Sequence, residues 1–138
     1  VIVKIGEQKN DDESATSNKL AKILAINGEV FIGDKALRKY LRSPDDYVDL
    51  AERWNGETGL PFVFGRFCFN RNGERYKKLS HEFNNQKIKI PYYVMSGEAT
   101  QKGFSYKEAK EYLALISYRV GAKEERGFAL FMKKAKKL

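Results

Sequence analysis

The chain has 138 residues, 42% of them hydrophobic, and this composition excludes a disordered chain. Its length predicts a single domain or a pair of small lobes. A single cysteine excludes an internal disulfide and fits a reducing compartment. No apolar stretch approaches the ~20 residues that a membrane helix needs, and no signal peptide is visible, so we expect no membrane association.

The net charge of +8 raises the question of an anionic partner. Lysines occur along the whole chain, and the one dense cluster, residues 133–137, closes the last predicted helix, where cations complement the helix dipole. The sequence shows no zinc-ligand spacing and no aromatic–basic ribbon of the RNA-binding kind. We therefore predict no nucleic-acid partner and no metal, and an anionic small molecule suits the charge equally well.

The first predicted elements are a strand, a loop and a helix. Residues 1–6 are apolar and rich in β-branched side chains, which predicts a strand. Residues 7–13 are polar and lack periodicity, which predicts a loop. Apolar residues then recur at helical spacing from Leu20 to Leu24, so a helix is expected to begin near Ser14.

Three hydroxyl side chains, Ser14, Thr16 and Ser17, stand at the predicted start of this helix. Serine and threonine are common N-caps, so plain capping is one interpretation. The alternative is an anion site, because free backbone N–H groups, the positive end of the helix dipole and hydroxyl donors would face one point. The residue types alone favour capping.

A second strand is predicted over residues 29–32, followed by a turn at Gly33 and Asp34 and a helix over residues 35–41. Asp34 is well placed to cap that helix. The alternative role for Asp34 is a polar wall of a pocket at the carboxyl end of a strand, where open α/β sheets bind their ligands.

Two starts compete for the next helix. One has Pro44 at the first position, with acidic residues in the first turn, and the other is a capping box formed by Asp49 and Glu52. Either start places Leu50 and Trp54 on the same face, so Trp54 is predicted to lie in the core.

Residues 62–69 form an apolar run that is rich in aromatics and follows Gly59 and Pro61. Such a run predicts a central strand that is buried on both faces. Cys68 lies inside this run, so we predict a buried, inert thiol there and not a nucleophile.

The remainder of the chain is predicted to be mainly helical. Tyr76, Leu79 and Phe83 recur at helical spacing after a turn, with His81 on a different face and without an assigned role. Residues 90–94 are a link or the start of another helix, and Ser105 opens a capping box. Two further stripes are predicted to face the core: Ala109, Tyr112, Leu113 and Ile116, and then Phe128, Phe131, Met132 and Ala135.

Four motifs resemble, in order, those of the chorismate dehydratases of menaquinone biosynthesis. They are an S-x-T-S turn from Ser14, an IGDxAL motif from Ile32, a W-x3-TGLPFVF stretch from Trp54, and a YL…Y…GL..F pattern from Tyr112, in which phenylalanine replaces the leucine. They are distributed over most of residues 11–132. The heptapeptide TGLPFVF is the most specific of them, and the order of all four is a specific signal.

The resemblance implies an α/β chain with the two-lobed fold of type II periplasmic ligand-binding proteins, whose ligand lies in the cleft between the lobes. Residues 11–59 would belong to the second lobe, and residues 60–138 would form a crossing strand and helices that return to the first lobe. Nothing here matches the family's N-terminal lobe, and the segment between Leu24 and Val30 is shorter than usual. We therefore expect a fragment, with chain breaks or unpaired strand edges near residues 9–12 and 26–29.

The implied activity is loss of water from chorismate to give 3-[(1-carboxyvinyl)oxy]benzoate, the entry to the futalosine route, by a cytoplasmic carbon–oxygen lyase that needs no cofactor. In the implied site, Ser14, Thr16 and Ser17 would hold a substrate carboxylate, and the other residues named below would line the opposite wall. No general base can be named. The implied substrate-binding residues are Ser14, Thr16, Ser17, Asp34, Thr58 and Gly59.

Two other functions remain open. One is a sister enzyme of the same pathway that processes futalosine, although the complete TGLPFVF string argues against it. The other is a non-catalytic protein of the same fold that delivers a small anion to a transporter. The sequence indicates no oligomeric state.

Overall fold

The computed structural model describes residues 1–10, 12, 14–87 and 89–138. Residues 11 and 13, in the predicted loop, and residue 88 lie outside this description. The described chain is α/β and mainly helical. Its elements are β1 (Ile2–Ile5), α1 (Ala15–Ile23), β2 (Gly28–Phe31), α2 (Gly33–Arg42), a 3-10 turn (Pro44–Asp46), β3 (Val48–Asp49), α3 (Leu50–Thr58), α4 (Gly73–Asn85), α5 (Tyr92–Gln101), α6 (Tyr106–Ala114) and α7 (Ala122–Ala135).

The chain divides into two compact units. The first unit comprises Val1–Phe64 together with Gly121–Leu138, and the second unit comprises Gly65–Val120. The predicted division lay between residues 59 and 60 and grouped α7 with residues 60–120. In the structure α7 packs with α1 and therefore belongs to the first unit. The assignment of lobes therefore stays a prediction.

The sheet of the first unit is antiparallel, in the order β2-β1-β3. Ile2 of the central strand pairs with Phe31 on one side and with Asp49 on the other. Since these are the last residues of β2 and β3, the helices that follow both strands begin at the same edge of the sheet. The predicted order of strand followed by helix is thus confirmed for β2, whereas β3 was not predicted from the sequence.

The expected unpaired edge at residues 26–29 is wrong. Gly28 pairs with Ile5, and the backbone N–H of Ile26 donates to the carbonyl of Ala21. The neighbouring segment is paired as well, because the N–H of Lys9 donates to Gly28 and its carbonyl accepts from Val30. These bonds satisfy backbone groups on both sides of the short connection after α1.

The core of the first unit lies between the sheet and helices α1, α3 and α7. Val3, Leu20, Leu50 and Trp54 are fully buried there, and Phe131 of α7 is nearly so. The predicted helix at Leu20 and the predicted core position of Trp54 are both confirmed. Residues from β1, α1, α3 and α7 thus form one hydrophobic cluster.

The start of α3 is set by Asp49 and not by Pro44, which opens only the 3-10 turn. The Asp49 carboxylate accepts hydrogen bonds from the N–H groups of Ala51 and Glu52, at 2.7 and 3.2 Å. Asp34, in contrast, does not cap α2. That prediction is wrong because Gly33 is already helical and Ile32 occupies the N-cap, so Asp34 lies inside the first turn.

The predicted buried strand over residues 62–69 is wrong, because this segment has no regular structure and forms no ladder with β2 or β3. Phe64, Phe67 and Phe69 are exposed. Cys68 is exposed too, so the predicted burial of its thiol is also wrong. A buried strand requires neighbours on both edges, and an apolar run does not supply them.

In the second unit, α4 and α6 confirm the predicted helices, and α5 confirms the helix alternative for residues 90–94. The predicted capping box at Ser105 is present. The apolar stripes are nevertheless not core: Leu79, Phe83 and Tyr112 are exposed, as is Ile116 beyond the end of α6. Among residues 65–87 and 89–120, the buried apolar residues are Ala99 and Phe104.

In α7 the prediction holds for Phe131 and fails for Met132, which is 40% exposed. None of the helices in the described residues is both long enough and apolar enough to cross a bilayer.

Candidate functional site

The predicted anion site lies at the start of α1. Ser14 is the N-cap, and its hydroxyl oxygen accepts a hydrogen bond from the N–H of Ser17 at 3.2 Å. Thr16 is exposed, whereas Ser17 is only 2% exposed. No acidic side chain occupies the first turn. The N–H groups of this turn and the positive end of the dipole can therefore receive an anion, and both capping and anion binding fit the geometry.

A hydrogen bond joins the two serine hydroxyls. Ser14 Oγ donates to Ser17 Oγ across 2.8 Å. Because each hydroxyl has a single proton, the Ser14 proton is used in this bond, and the Ser17 proton is left to donate elsewhere. The bond from Ser14 thus leaves the Ser17 hydroxyl as a donor at a nearly buried position, where the low dielectric strengthens a charge-assisted hydrogen bond.

A second group of predicted residues forms the turn that ends α3. Thr58 Oγ1 donates to the carbonyl of Trp54 at 2.7 Å and accepts from the N–H of Leu60 at 3.2 Å. Its only proton is therefore used within the turn. Gly59 has a left-handed conformation, with φ of 66°, and its N–H donates to the carbonyl of Asn55. Thr58 holds the turn, and Gly59 gives an exposed backbone without a side chain.

Three aromatic rings support this turn from the core. The Trp54 ring meets Phe62 at a centroid distance of 5.7 Å and Phe131 at 6.4 Å, and the last two are 5.1 Å apart. All three contacts are edge-to-face, the arrangement that aromatic quadrupoles favour. Trp54 Nε1 is buried and has no hydrogen-bond partner among the residues that the structure describes, so Trp54 stabilises the unit through packing.

Asp34 forms a third, separate group. It is exposed, and the sheet beside it is antiparallel, so the rule for ligands at the carboxyl ends of parallel strands does not apply. Two cations of α2 lie over the Phe31 ring, Lys35 near the start of the helix at 5.0 Å and Lys39 in its last turn at 4.6 Å. Helix α3 begins at the same sheet edge as α2 and is about 12 Å long from Leu50 to Thr58. The turn with Thr58 and Gly59 therefore lies about one helix length from that edge.

The structure therefore places the six predicted residues on three elements: the start of α1, the start of α2 and the end of α3. Two surface hollows lie elsewhere. One is formed by residues 4–9 with Glu29, where Lys9 pairs with Glu29 at 3.0 Å and lowers the pKa of its carboxyl. The other is formed by Phe67, Phe69, Tyr76, Lys77, Ser80, His81 and Asn84.

His81 contacts the amide nitrogen of Asn85. In the part of the chain that the structure describes, no group of three or more His, Cys, Asp or Glu residues could hold a metal ion.

Sequence reasoning missed the packing role of Gly127. This residue is buried inside α7 and lies against the backbone of Pro61, next to the α3 turn. The sequence did contain a sign of this role, because Gly127 lies in the interior of an amphipathic helix. Glycine destabilises a helix at such a position, so its presence there often has a packing reason.

Comparison with known proteins assigns the chain to a class. Residues 12–137 match the family described as menaquinone biosynthesis, and the chain belongs to that family. It is also similar to a particular curated protein, a chorismate dehydratase of Campylobacter jejuni subsp. jejuni serotype O:23/36 (strain 81-176). The two are 40% identical over 139 residues, which covers all of this chain and 62% of that protein. No solved structure matches the chain.

The lengths in this comparison bear on the expected gaps. The chain spans less than two thirds of the relative's length, yet its 138 residues align over only 139 positions. The relative therefore has about one extra residue within the matched region. The expectation that the connection between Leu24 and Val30 is unusually short is wrong for this relative.

Proposed function

We propose that this chain is part of a chorismate dehydratase, a hydro-lyase that removes water from chorismate to give 3-[(1-carboxyvinyl)oxy]benzoate in the futalosine route. The observation that carries the proposal is the 40% identity to a chorismate dehydratase along the whole chain, together with the family match. A cytoplasmic location is part of the same proposal, and the single cysteine supports it.

The reaction depends more on groups that bind the substrate's negative charges than on nucleophilic side chains. The bond from ring C3 to hydrogen breaks, its electron pair forms the C3–C4 double bond, and the C4 hydroxyl leaves with a proton as water. Aromatisation of the ring drives the elimination. The protein must hold two carboxylates, exclude water and donate a hydrogen bond to the leaving hydroxyl.

In this proposal the start of α1 is the clamp for one substrate carboxylate. The Ser17 N–H is already donated to Ser14, so the other first-turn N–H groups and the hydroxyl proton of Ser17 would supply donors, and Thr16 adds an exposed hydroxyl beside them. The absence of an acidic residue from this first turn leaves the positive end of the dipole for the ligand.

The turn at Thr58 and Gly59 would form a wall of the site. Because the Thr58 proton is donated to the Trp54 carbonyl, Thr58 shapes the turn and is not a donor to the substrate. Gly59 lets a substrate atom approach the backbone closely. Asp34 is proposed as a polar wall residue at the start of α2. The C3 proton would be taken by a carboxylate of the substrate itself.

We also propose that the complete protein has the two-lobed fold of type II periplasmic ligand-binding proteins, with residues 11–59 in one lobe. Two observations support this: the matched relative is longer than the chain, and the second unit has many exposed apolar side chains. Amide hydrogen exchange on the intact protein tests it. The amides of α4 and α6 should be protected there to the same degree as those of α1, and rapid exchange would contradict the proposal.

The direct test uses the intact protein, treated with a chelator and given no nucleotide. We expect conversion of chorismate to the enolpyruvyl benzoate with release of one water for each turnover. Binding of chorismate without turnover would favour the non-catalytic anion-binding function. Turnover of a futalosine derivative instead would favour the sister enzyme, and turnover that requires added metal would contradict the proposed mechanism.

A double substitution, Thr16→Ala with Ser17→Ala, tests the clamp. We expect the KM for chorismate to rise tenfold or more, equivalent to about 1.5–3 kcal/mol for lost charge-assisted hydrogen bonds. The matched control is Ser105→Ala, which removes a serine cap from α6 and should leave KM unchanged. Equal KM values in the double variant and the parent would return both residues to a structural role at the start of α1.

A further inference from the structure

Helix α7 contacts the backbone of the segment that follows Gly59. A Cβ atom built on Gly127 would lie well under 3.0 Å from the carbonyl oxygen of Pro61 and 3.4 Å from its carbonyl carbon. Real Cβ atoms essentially never lie within 3.0 Å of such an atom. Glycine is therefore required at position 127 by space, because α7 and the Pro61 peptide are in direct backbone contact.

The same helix contacts this segment a second time, one turn later. Phe131 follows Gly127 by four residues and so lies on the same face of α7. Its ring is 5.1 Å from Phe62 and 6.4 Å from Trp54, between centroids. Gly127 of α7 thus contacts the backbone of Pro61, and Phe131 of α7 contacts the side chain of Phe62.

The turn is also fixed from within. The Thr58 hydroxyl joins the carbonyl of Trp54 to the N–H of Leu60, which spans the whole end of α3. These internal bonds connect Leu60 to the last turn of α3. A displacement of Pro61 would therefore be transmitted through Leu60 to Gly59.

We infer that Gly127 is a positioning residue for the wall formed by Thr58 and Gly59. It touches no substrate and acts through the carbonyl of Pro61. The inference rests on the proposed function, because the wall matters for chorismate only if this chain forms part of a chorismate site. An added methyl group must move either α7 or the turn, and a displacement of about 1 Å in a site can cost about 100-fold in rate.

The test is Gly127→Ala in the intact protein, with Gly56→Ala as the matched control. Both glycines are helical and in the first unit, but a Cβ on Gly56 would meet nothing within 4 Å. We expect Gly127→Ala to raise the KM for chorismate at least fivefold and Gly56→Ala to leave it unchanged. A merely structural role would reduce the fraction of active protein, which lowers kcat and leaves KM as it is.

A second readout does not depend on turnover. The Leu60 amide should exchange its hydrogen at least tenfold faster in Gly127→Ala than in the parent, with no such change in Gly56→Ala. Absence of chorismate turnover by the parent would refute the proposed function, and Leu60 exchange would still test the positioning. An active parent with unchanged KM and unchanged Leu60 exchange in Gly127→Ala would overturn the inference.

A milder variant covers the case in which Gly127→Ala does not fold. Phe131→Leu keeps an apolar side chain but removes the ring that meets Phe62, and the adjacent Met132→Leu is its control because Met132 is exposed. The same rise in KM and faster Leu60 exchange are expected for Phe131→Leu, to a smaller extent. Values equal to those of Met132→Leu would contradict the positioning role of α7.

Discussion

The two units of this chain differ in what their helices bury. In the first unit, α1, α3 and α7 place Leu20, Trp54 and Phe131 in one cluster against the sheet. In the second unit, α4 and α6 also have apolar stripes, but Leu79, Phe83 and Tyr112 are exposed. The difference teaches that an apolar stripe identifies which face of a helix is suited to burial. Whether that face is buried depends on a second surface.

This comparison implies that the units contribute unequally to stability. Burial of apolar area is worth roughly 25 cal/mol per Å², and the second unit gains little of it within residues 65–87 and 89–120. Its helices depend more on local devices, such as the capping box at Ser105 and exposed ion pairs like the one between Glu74 and Lys77. Exposed pairs of this kind are typically worth only about 0–1 kcal/mol.

The largest effect is expected from the same substitution made in each unit. Leu20→Ala removes a fully buried side chain and should lower the free energy of unfolding by about 2–5 kcal/mol. In the 138-residue chain on its own, without the further lobe proposed above, Leu79→Ala at a position that is 53% exposed should change it by about 0.5 kcal/mol or less. Urea unfolding followed by far-UV circular dichroism measures both. Equal losses would mean that Leu79 is buried in solution by another surface.

A smaller difference between the units is expected when a helix cap is removed from each of them. Asp49→Ala removes the acceptor for the N–H groups of Ala51 and Glu52 and should lower the free energy of unfolding by about 0.5–2 kcal/mol. Ser105→Ala removes the corresponding acceptor from α6. We expect that variant to speed amide exchange in α6 while the unfolding midpoint of the first unit stays constant.

A common shift of the midpoint in both cap variants would contradict this expectation. It would show that the two units unfold as one cooperative system, and the contrast between them would then concern burial alone.

The smallest effect concerns pH. The backbone N–H and hydroxyl of Ser105 hydrogen-bond Glu108 and lower the pKa of its carboxyl. A lowered pKa in the folded state means that this stabilisation is present at neutral pH and is lost as the pH falls through the folded pKa. Amide protection at the start of α6 should therefore decrease at the acid end of the titration, below the usual glutamate range.

Glu108→Gln is the matched control for the pH experiment, since glutamine can complete a capping box but does not titrate. In that variant the protection of α6 should be independent of pH over the same range. A decrease of equal size in both proteins would assign the acid sensitivity to other carboxylates.

Local features of the fold could be predicted from the sequence because their causes are local. A serine before a helical pattern predicted the cap at Ser14, and serine and glutamate three residues apart predicted the box at Ser105. The core position of Trp54 followed from periodicity. Each of these inferences needs only neighbouring residues, and each is confirmed.

The errors concern features that depend on distant partners. Residues 62–69 have the composition of a buried strand, but the sheet pairs β1 with β2 and β3 and leaves that run without a ladder. The burial predicted for Cys68 and Tyr112 failed for the same reason. For the candidate site, the sequence predicted that Ser14, Thr16 and Ser17 lie at the start of α1, but only the structure shows that the Thr58 proton is used within its own turn.

The contact between α7 and α3 has a consequence for synthesis of the protein. Residues 65–120 stand in the chain between Trp54 and the helix that packs on it. At about 5–20 residues per second, a ribosome needs roughly 3–11 s to make that insertion. During this interval Trp54 has already been made, while Phe131 does not yet exist. The core can exclude water only after α7 is made, so a chaperone that binds apolar nascent segments has several seconds in which to reach it.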